Sequence, residues 1–346
     1  MIYCDLDSLT GMWTRSRRRQ ASSLTNMPED ILLLVGEACS NPLTPRTLVH
    51  LATTSRQTLA ALQPKLNELR QFQGEVKALC SKECQSLDPS ALLKCSDLCW
   101  YGCGLTTSDF NSIGRLLQMG ALGSLRALQL DANQIGDVGM TTFAETLKSP
   151  MGSQGSLAFL SLGINQITNA GMEAFCTAIS SGSLPSLRAL GLGTNAIGDA
   201  GMTAFACAIR TGGALGKLEG LSLAGNRIGN SGMQSFASAV ASGLLGSLQM
   251  LNLKDNHIGD AGMKAFSSAI SSGGLHNLTR LLFYGNKIGD AGMQAFSTAI
   301  SSGSLPSLQK LHVGDGALGV DHPQLTAACK SRGIFLAYNR VTSHVW

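Results

Sequence analysis

Five cysteines lie between residues 80 and 103, at Cys80, Cys84, Cys95, Cys99 and Cys103. A structural zinc site uses such residues when they come as C-x-x-C pairs or with histidines close by. These are four or more residues apart, and the six histidines of the chain are scattered. Cys80 and Cys84 share one face of an expected helix, and Cys95 and Cys103 fall where the repeating pattern described below puts core residues, so packing is their expected role. The segment TGGALGKLEG, ending at Gly220, is only loosely like a phosphate loop. It lacks the G-x-x-x-x-G-K-[ST] spacing and runs from helix to strand, the wrong order for aiming a helix amino terminus at phosphate. Serines abound in ISSG, yet no G-x-S-x-G elbow occurs and no histidine stands near as a base. The sequence predicts no enzyme, no metal and no cofactor.

The residues that recur are scaffold rather than chemistry. Asn133, Asn165, Asn195, Asn226, Asn256 and Asn286 return every 30 to 32 residues, a period that signals a solenoid. Each ends a stretch LxxLxLxxNxI: LRALQLDANQI from Leu125, LAFLSLGINQI from Leu157, LRALGLGTNAI from Leu187, LEGLSLAGNRI from Leu218, LQMLNLKDNHI from Leu248 and LTRLLFYGNKI from Leu278. The L-x-L alternation has the period of two of a short strand. Asp260 then stands where a helix N-cap is expected, Met263, Phe266, Ala269 and Ile270 share one helical face, and Gly273 supplies a left-handed stop. Strand, helix and next strand imply a parallel sheet with right-handed crossovers. Helices about 10 Å wide stacked beside strands about 4.8 Å apart bend such an array, with the sheet as inner wall. The asparagine is expected to turn inward and satisfy backbone groups at the strand end.

This pattern resembles the leucine-rich repeat, and the 30-residue length with GDAGM resembles its ribonuclease-inhibitor-like class. The resemblance implies an α/β solenoid: a horseshoe with a parallel inner sheet and outer helices. Degenerate units extend it at both ends, CSDLCWYGCGL from Cys95, with Cys103 in place of asparagine, and LQKLHVGDGAL from Leu308, with Gly316 there. About eight units are expected over residues 91–346. Their variable inner positions are small in the middle units, at Gly191, Gly193, Gly220, Ser222 and Ala224. Toward the carboxyl end they become Met250, Asn252, Lys254, Arg280, Leu282, Tyr284, Lys310 and His312, a mildly basic concave patch rich in anchor-type residues. Acidic or phosphorylated partners would suit it.

Residues 26–90 are expected to be helical. Ile31, Leu34, Val35 and Ala38 make one stripe, Leu48, Leu51 and Ala52 a second, Leu59 and Leu62 mark a third helix, and Leu66, Leu69, Phe72, Val76 and Leu79 a helix leading into the array. Met27, Pro28, Glu29, Asp30, Ile31 and Leu32, followed by Leu48, Leu51, Ser55 and Arg56, resemble an F-box. That resemblance implies docking of a Skp-type adaptor through Pro28, Ile31, Leu32, Leu48 and Leu51, and a role as substrate receptor of a cullin-type ubiquitin ligase. The same helices also read as a cap on the first repeat. Two other readings stand beside it: a recognition scaffold like the repeat portions of NOD-like receptors, and a GTPase activator resembling the Ran-activating class.

Composition limits the rest. Apolar residues make 44%, aromatics 5% and charged residues 14%, so the core is built from Leu, Ile, Ala, Met and a few Phe. The net charge of +4 draws on a run at Arg15, Arg17, Arg18 and Arg19, which reads as part of a solvated disordered tail over residues 1–25. A nucleic-acid surface would spread its basic residues more widely. No stretch is apolar enough for a signal peptide or a membrane span, so a soluble protein of the cytoplasm, with the nucleus as a second compartment, is expected. Cys39, Cys176, Cys207 and Cys329 fall in apolar helical patterns and are expected as reduced, packed thiols.

Overall fold

The structure, a computed structural model, describes residues 56–82, 92, 94–118, 121–148, 155–212, 215–313 and 322–338. The chain divides into two compact units, Met1–Lys77 and Ala78–Trp346. The described part of the first is helical, within α1 (Arg56–Ser81). Where the periodicity suggests two helices, one marked by Leu59 and Leu62 and one by Leu66 to Leu79, a single helix runs through both, Pro64 included. The basic tail and the F-box-like positions Pro28, Ile31, Leu32, Leu48 and Leu51 lie outside the described residues. No helix among the described residues is long and apolar enough to cross a membrane.

The second unit alternates strand and helix: β1 (Asp97–Cys99), α2 (Thr107–Gln118), β2 (Ala127–Gln129), α3 (Gly136–Lys148), β3 (Phe159–Ser161), α4 (Asn169–Ser180), β4 (Ala189–Gly191), α5 (Asp199–Gly212), β5 (Gly220–Ser222), α6 (Asn230–Ala241), β6 (Met250–Asn252), α7 (Asp260–Ser271), β7 (Arg280–Leu282), α8 (Asp290–Ser301), β8 (Lys310–His312), α9 (Pro323–Ser331) and β9 (Phe335–Ala337). The nine strands pair in chain order and all are parallel. Consecutive helices from α2 to α9 pack side by side as the strands do, making a second layer.

The register sets leucine on leucine. Leu128, Leu160, Leu190, Leu221, Leu251, Leu281 and Leu311 are adjacent along the sheet and fully buried. Behind them Met263, Phe266, Ala269 and Ile270 of α7, and their counterparts in the other helices, close the core. Burying each such leucine or phenylalanine contributes about 1.5–3 kcal/mol. β9 is a ninth strand where eight units were expected: after α9 the chain turns at Gly333 (φ +66°) and Ile334 to Ala337 resume the alternation.

Two polar ladders join the units. In the first, each asparagine bonds the backbone of the unit before it. The Asn226 side chain donates from Nδ2 to the carbonyls of Leu192 and Leu223, both at 3.0 Å, and its Oδ1 accepts the Ile197 N–H at 3.0 Å. Asn256 repeats this on Leu223, Leu253 and Ile228. Cys103, at the asparagine position of the first unit, bonds within its own unit, its Sγ donating to the Tyr101 carbonyl at 3.5 Å.

The second ladder corrects the reading of Asp260 as an N-cap. The N-cap of α7 is Gly259, which makes no side-chain cap bond, and Asp260 is the first helical residue. Its Oδ1 reaches forward and accepts the N–H groups of Gly289 at 2.7 Å and Gly292 at 2.9 Å, at the start of α8. Asp199 does the same for Gly229 and Gly232, and Asn230 for Gly259 and Gly262. One unit therefore caps the next, satisfying donors that a helix end leaves open. The second glycine of GDAGM is what admits the carboxylate: a Cβ on Gly292 would come within 2.7 Å of Asp260 Oδ1.

Because Asp and Asn both serve in this ladder, Asp260→Asn will leave the urea unfolding midpoint almost unchanged. Asp260→Ala will lose about 1–2 kcal/mol, the usual worth of a helix cap. Equal effects of the two substitutions would contradict the assignment.

Candidate partner-binding face

Residues that alternate with the buried strand leucines occupy the sheet face turned away from the helix layer. On β6 to β9 the register lines them up in rows. Met250, Arg280, Lys310 and Phe335 form the first row, and Asn252, Leu282, His312 and Ala337 the second. Lys254 and Tyr284 follow two residues beyond the second row, with the Lys254 ammonium 5.6 Å from the centre of the Tyr284 ring. All eight positions singled out from the sequence share this face.

Their exposure differs from the sequence reading. Asn252, Leu282, Tyr284 and His312 are buried, because side chains on strands about 4.8 Å apart cover one another. Lys310 is exposed, and Met250, Lys254 and Arg280 are half-buried, so these four present the reachable groups. The sequence reading missed Phe335, which is 62% exposed and extends the first row. Its signal was the I-F-L-A alternation after Gly333.

Charge on this face is uneven. At the amino-terminal side Asp131 is engaged, accepting the Ser161 hydroxyl at 2.6 Å and the Gly163 N–H at 2.8 Å. Arg188, just before β4, is ion-paired with Glu219. Arg280 and Lys310 have no ion-pair partner among the described residues. On this face two buried polar atoms are likewise unpaired among those residues, Asn252 Nδ2 and His312 Nδ1, on either side of Leu282. Burial, then the charges of Arg280 and Lys310, hold the His312 pKa below the ordinary histidine value.

A groove of about 380 Å³ runs across β4 to β8 along this first row. It is lined by Arg188, Glu219, Gln249, Thr279 and Gln309, just before the strands, and by Ala189, Gly220, Met250, Arg280 and Lys310, which open them.

The cysteines divide by burial. Cys176 and Cys329 are buried, and burial pushes their thiols up to about 12 and about 11. Cys207 is exposed, against the expectation that it packs inward, and Cys95 and Cys103 are half-buried. Cys99 lies on the open face, its Sγ donating to Gln129 Oε1 at 3.3 Å. Cys84 and Cys39 lie outside the described residues.

Six segments, residues 124–144, 156–176, 183–206, 217–237, 247–267 and 274–297, match the family model described as Leucine Rich repeat. The array is a leucine-rich repeat solenoid. Among solved structures, an internalin C2 from Listeria monocytogenes is 19% identical, with a TM-score of 0.40 over 68% of this chain and 90% of that one. A likeness at that level adds nothing to the reading of the face. No curated protein matches the chain.

Since the folded state disfavours the protonated form of His312, its contribution to stability is complete above about pH 6.5 and is lost as pH falls from there toward the folded pKa. In an NMR titration His312 will titrate below the usual histidine range. Arg280→Gln with Lys310→Gln will move it upward without restoring the ordinary value, because burial is the larger cause. No movement in the double variant would contradict the placement of these three groups.

Proposed function

We propose that the chain is a non-catalytic scaffold that binds another protein on the open sheet face over β6–β8. The observation that supports this most is the gathering of Lys254, Arg280 and Lys310 with Tyr284 and Met250 on one face, with Arg280 and Lys310 unpaired among the described residues. Cations set at fixed spacings on a stiff sheet, with aromatic and apolar neighbours, make a contact surface whose backbone needs no reordering on binding. Such a surface favours anionic groups on the partner. Nothing in this role requires chemistry from the chain.

The finer reading is that of an F-box-type substrate receptor of a cullin ubiquitin ligase. It is supported by the resemblance of Met27 to Leu32 and Leu48 to Arg56. On it, Pro28, Ile31, Leu32, Leu48 and Leu51 dock a Skp-type adaptor while the open face holds the target, and joining the two raises their effective concentration.

One capture experiment on the full chain tests both levels. Lys254→Glu with Arg280→Glu and Lys310→Glu will release the target at least about tenfold, in line with truncation of interface anchors, and keep the adaptor. Leu32→Asp, or Pro28→Ala with Leu48→Asp, will release the adaptor and keep the target. Failure of the wild-type chain to recover a Skp-type adaptor leaves the scaffold without its ligase link. Acceleration of GTP hydrolysis by a small GTPase would contradict the non-catalytic role.

A further inference from the structure

We infer that the groove across β4–β8 is the seat of an extended, carboxylate-bearing peptide segment of the partner, with its acidic residues over Arg280 and Lys310 and an apolar side chain on Phe335. This rests on the scaffold reading above and narrows it to one groove, one polarity and one chain conformation.

The dimensions favour an extended chain. The groove crosses four strand spacings of about 4.8 Å, roughly 19 Å, which an extended segment covers in about six residues. It follows two adjacent rows of residues, those just before the strands and those that open them. At the β4 and β5 end its lining includes Ala189 and Gly220, small enough for a peptide backbone to lie close.

Charge sets the direction. Arg188 at one end is already neutralised by Glu219, so that end offers no free cation. Arg280 and Lys310 are register neighbours on adjacent strands, which lets one or two carboxylates bridge both. Beyond Lys310 the same row ends in Phe335, exposed and in register with it. The occupant therefore carries acidic residues followed closely by an aromatic or aliphatic one.

The donors favour carboxylates over phosphate. Many phosphate sites add backbone N–H groups or helix amino termini to their cations. Beneath this groove the strand N–H groups are already committed: Met250 to the Glu219 carbonyl, Arg280 to that of Gln249 and Lys310 to that of Thr279. What remains is two side-chain cations flanked by Met250 and Phe335, a match for acidic and apolar side chains in alternation.

The test is selection of a phage-displayed library of random dodecapeptides on the full chain, followed by affinity measurement of the enriched peptides by fluorescence anisotropy. The expected result is enrichment of Asp and Glu beside Phe, Leu or Trp. Binding of these peptides will fall at least about tenfold with Arg280→Glu or Lys310→Glu and about threefold to tenfold with Phe335→Ala, and will be unchanged by Lys264→Glu on the helix layer. Replacing their acidic residues with Asn and Gln will abolish binding, and phosphoserine in place of Glu will not improve it. No enrichment, enrichment without acidic residues, tighter binding of the phosphoserine form, or equal binding to Arg280→Glu overturns the assignment. If the groove fails while the triple open-face variant still releases the captured target, the scaffold reading stands alone. If both fail, the open face is not the contact.

Discussion

Each unit of this chain leaves polar backbone groups that only its neighbour can answer. A single module has one apolar face and two open helix ends. The asparagine of one unit ties down a carbonyl and an N–H of the unit before it, and the Asp or Asn near the start of α3 to α7 caps the helix after it. These bonds point in opposite directions along the array, so every interior unit is held from both sides. Buried backbone groups without partners would cost about 1–3 kcal/mol each. That cost explains why GDAGM and its relatives recur with so little change: the glycine in one copy is shaped by the acid in the previous one.

The same bonding separates scaffold from function. Positions committed to the ladders or to the leucine and phenylalanine core have no freedom to recognise anything. The alternate strand positions on the open face do, and there the copies diverge. Glycine, alanine and serine line the middle strands, while cations and aromatics collect on β6 to β9. Because strand register is exact along the leucines, these side chains are held at fixed spacings without a dedicated loop. Recognition is thereby a matter of which side chain each unit places on a prepared lattice.

Much of this was legible in the residues. The L-x-L alternation and the helical spacing of Met263, Phe266 and Ile270 foretold the strands, the helices and the face shared by Arg280, Tyr284 and His312. Three features were not. Asp260 reads as a cap for its own helix because sequence reasoning treats helix ends one at a time, whereas its partners, Gly289 and Gly292, are about thirty residues away. Burial of Tyr284 and His312 follows from side chains on neighbouring strands, which a pattern within one strand does not register. β9 was hidden because the repeat signature fades after Val313, leaving only the short Ile334 to Ala337 alternation to mark a strand and to present Phe335.

The most direct measurement is the stability of a chain from which one full period, residues 226–255, has been removed, so that Asn256 follows Gly225. If inter-unit pairing is what holds the array, both ladders close across the new junction, with Asp199 meeting Gly259 and Gly262. The shortened chain will then keep its helical circular dichroism and a single cooperative urea transition. Loss of that transition in the shortened chain would contradict the account.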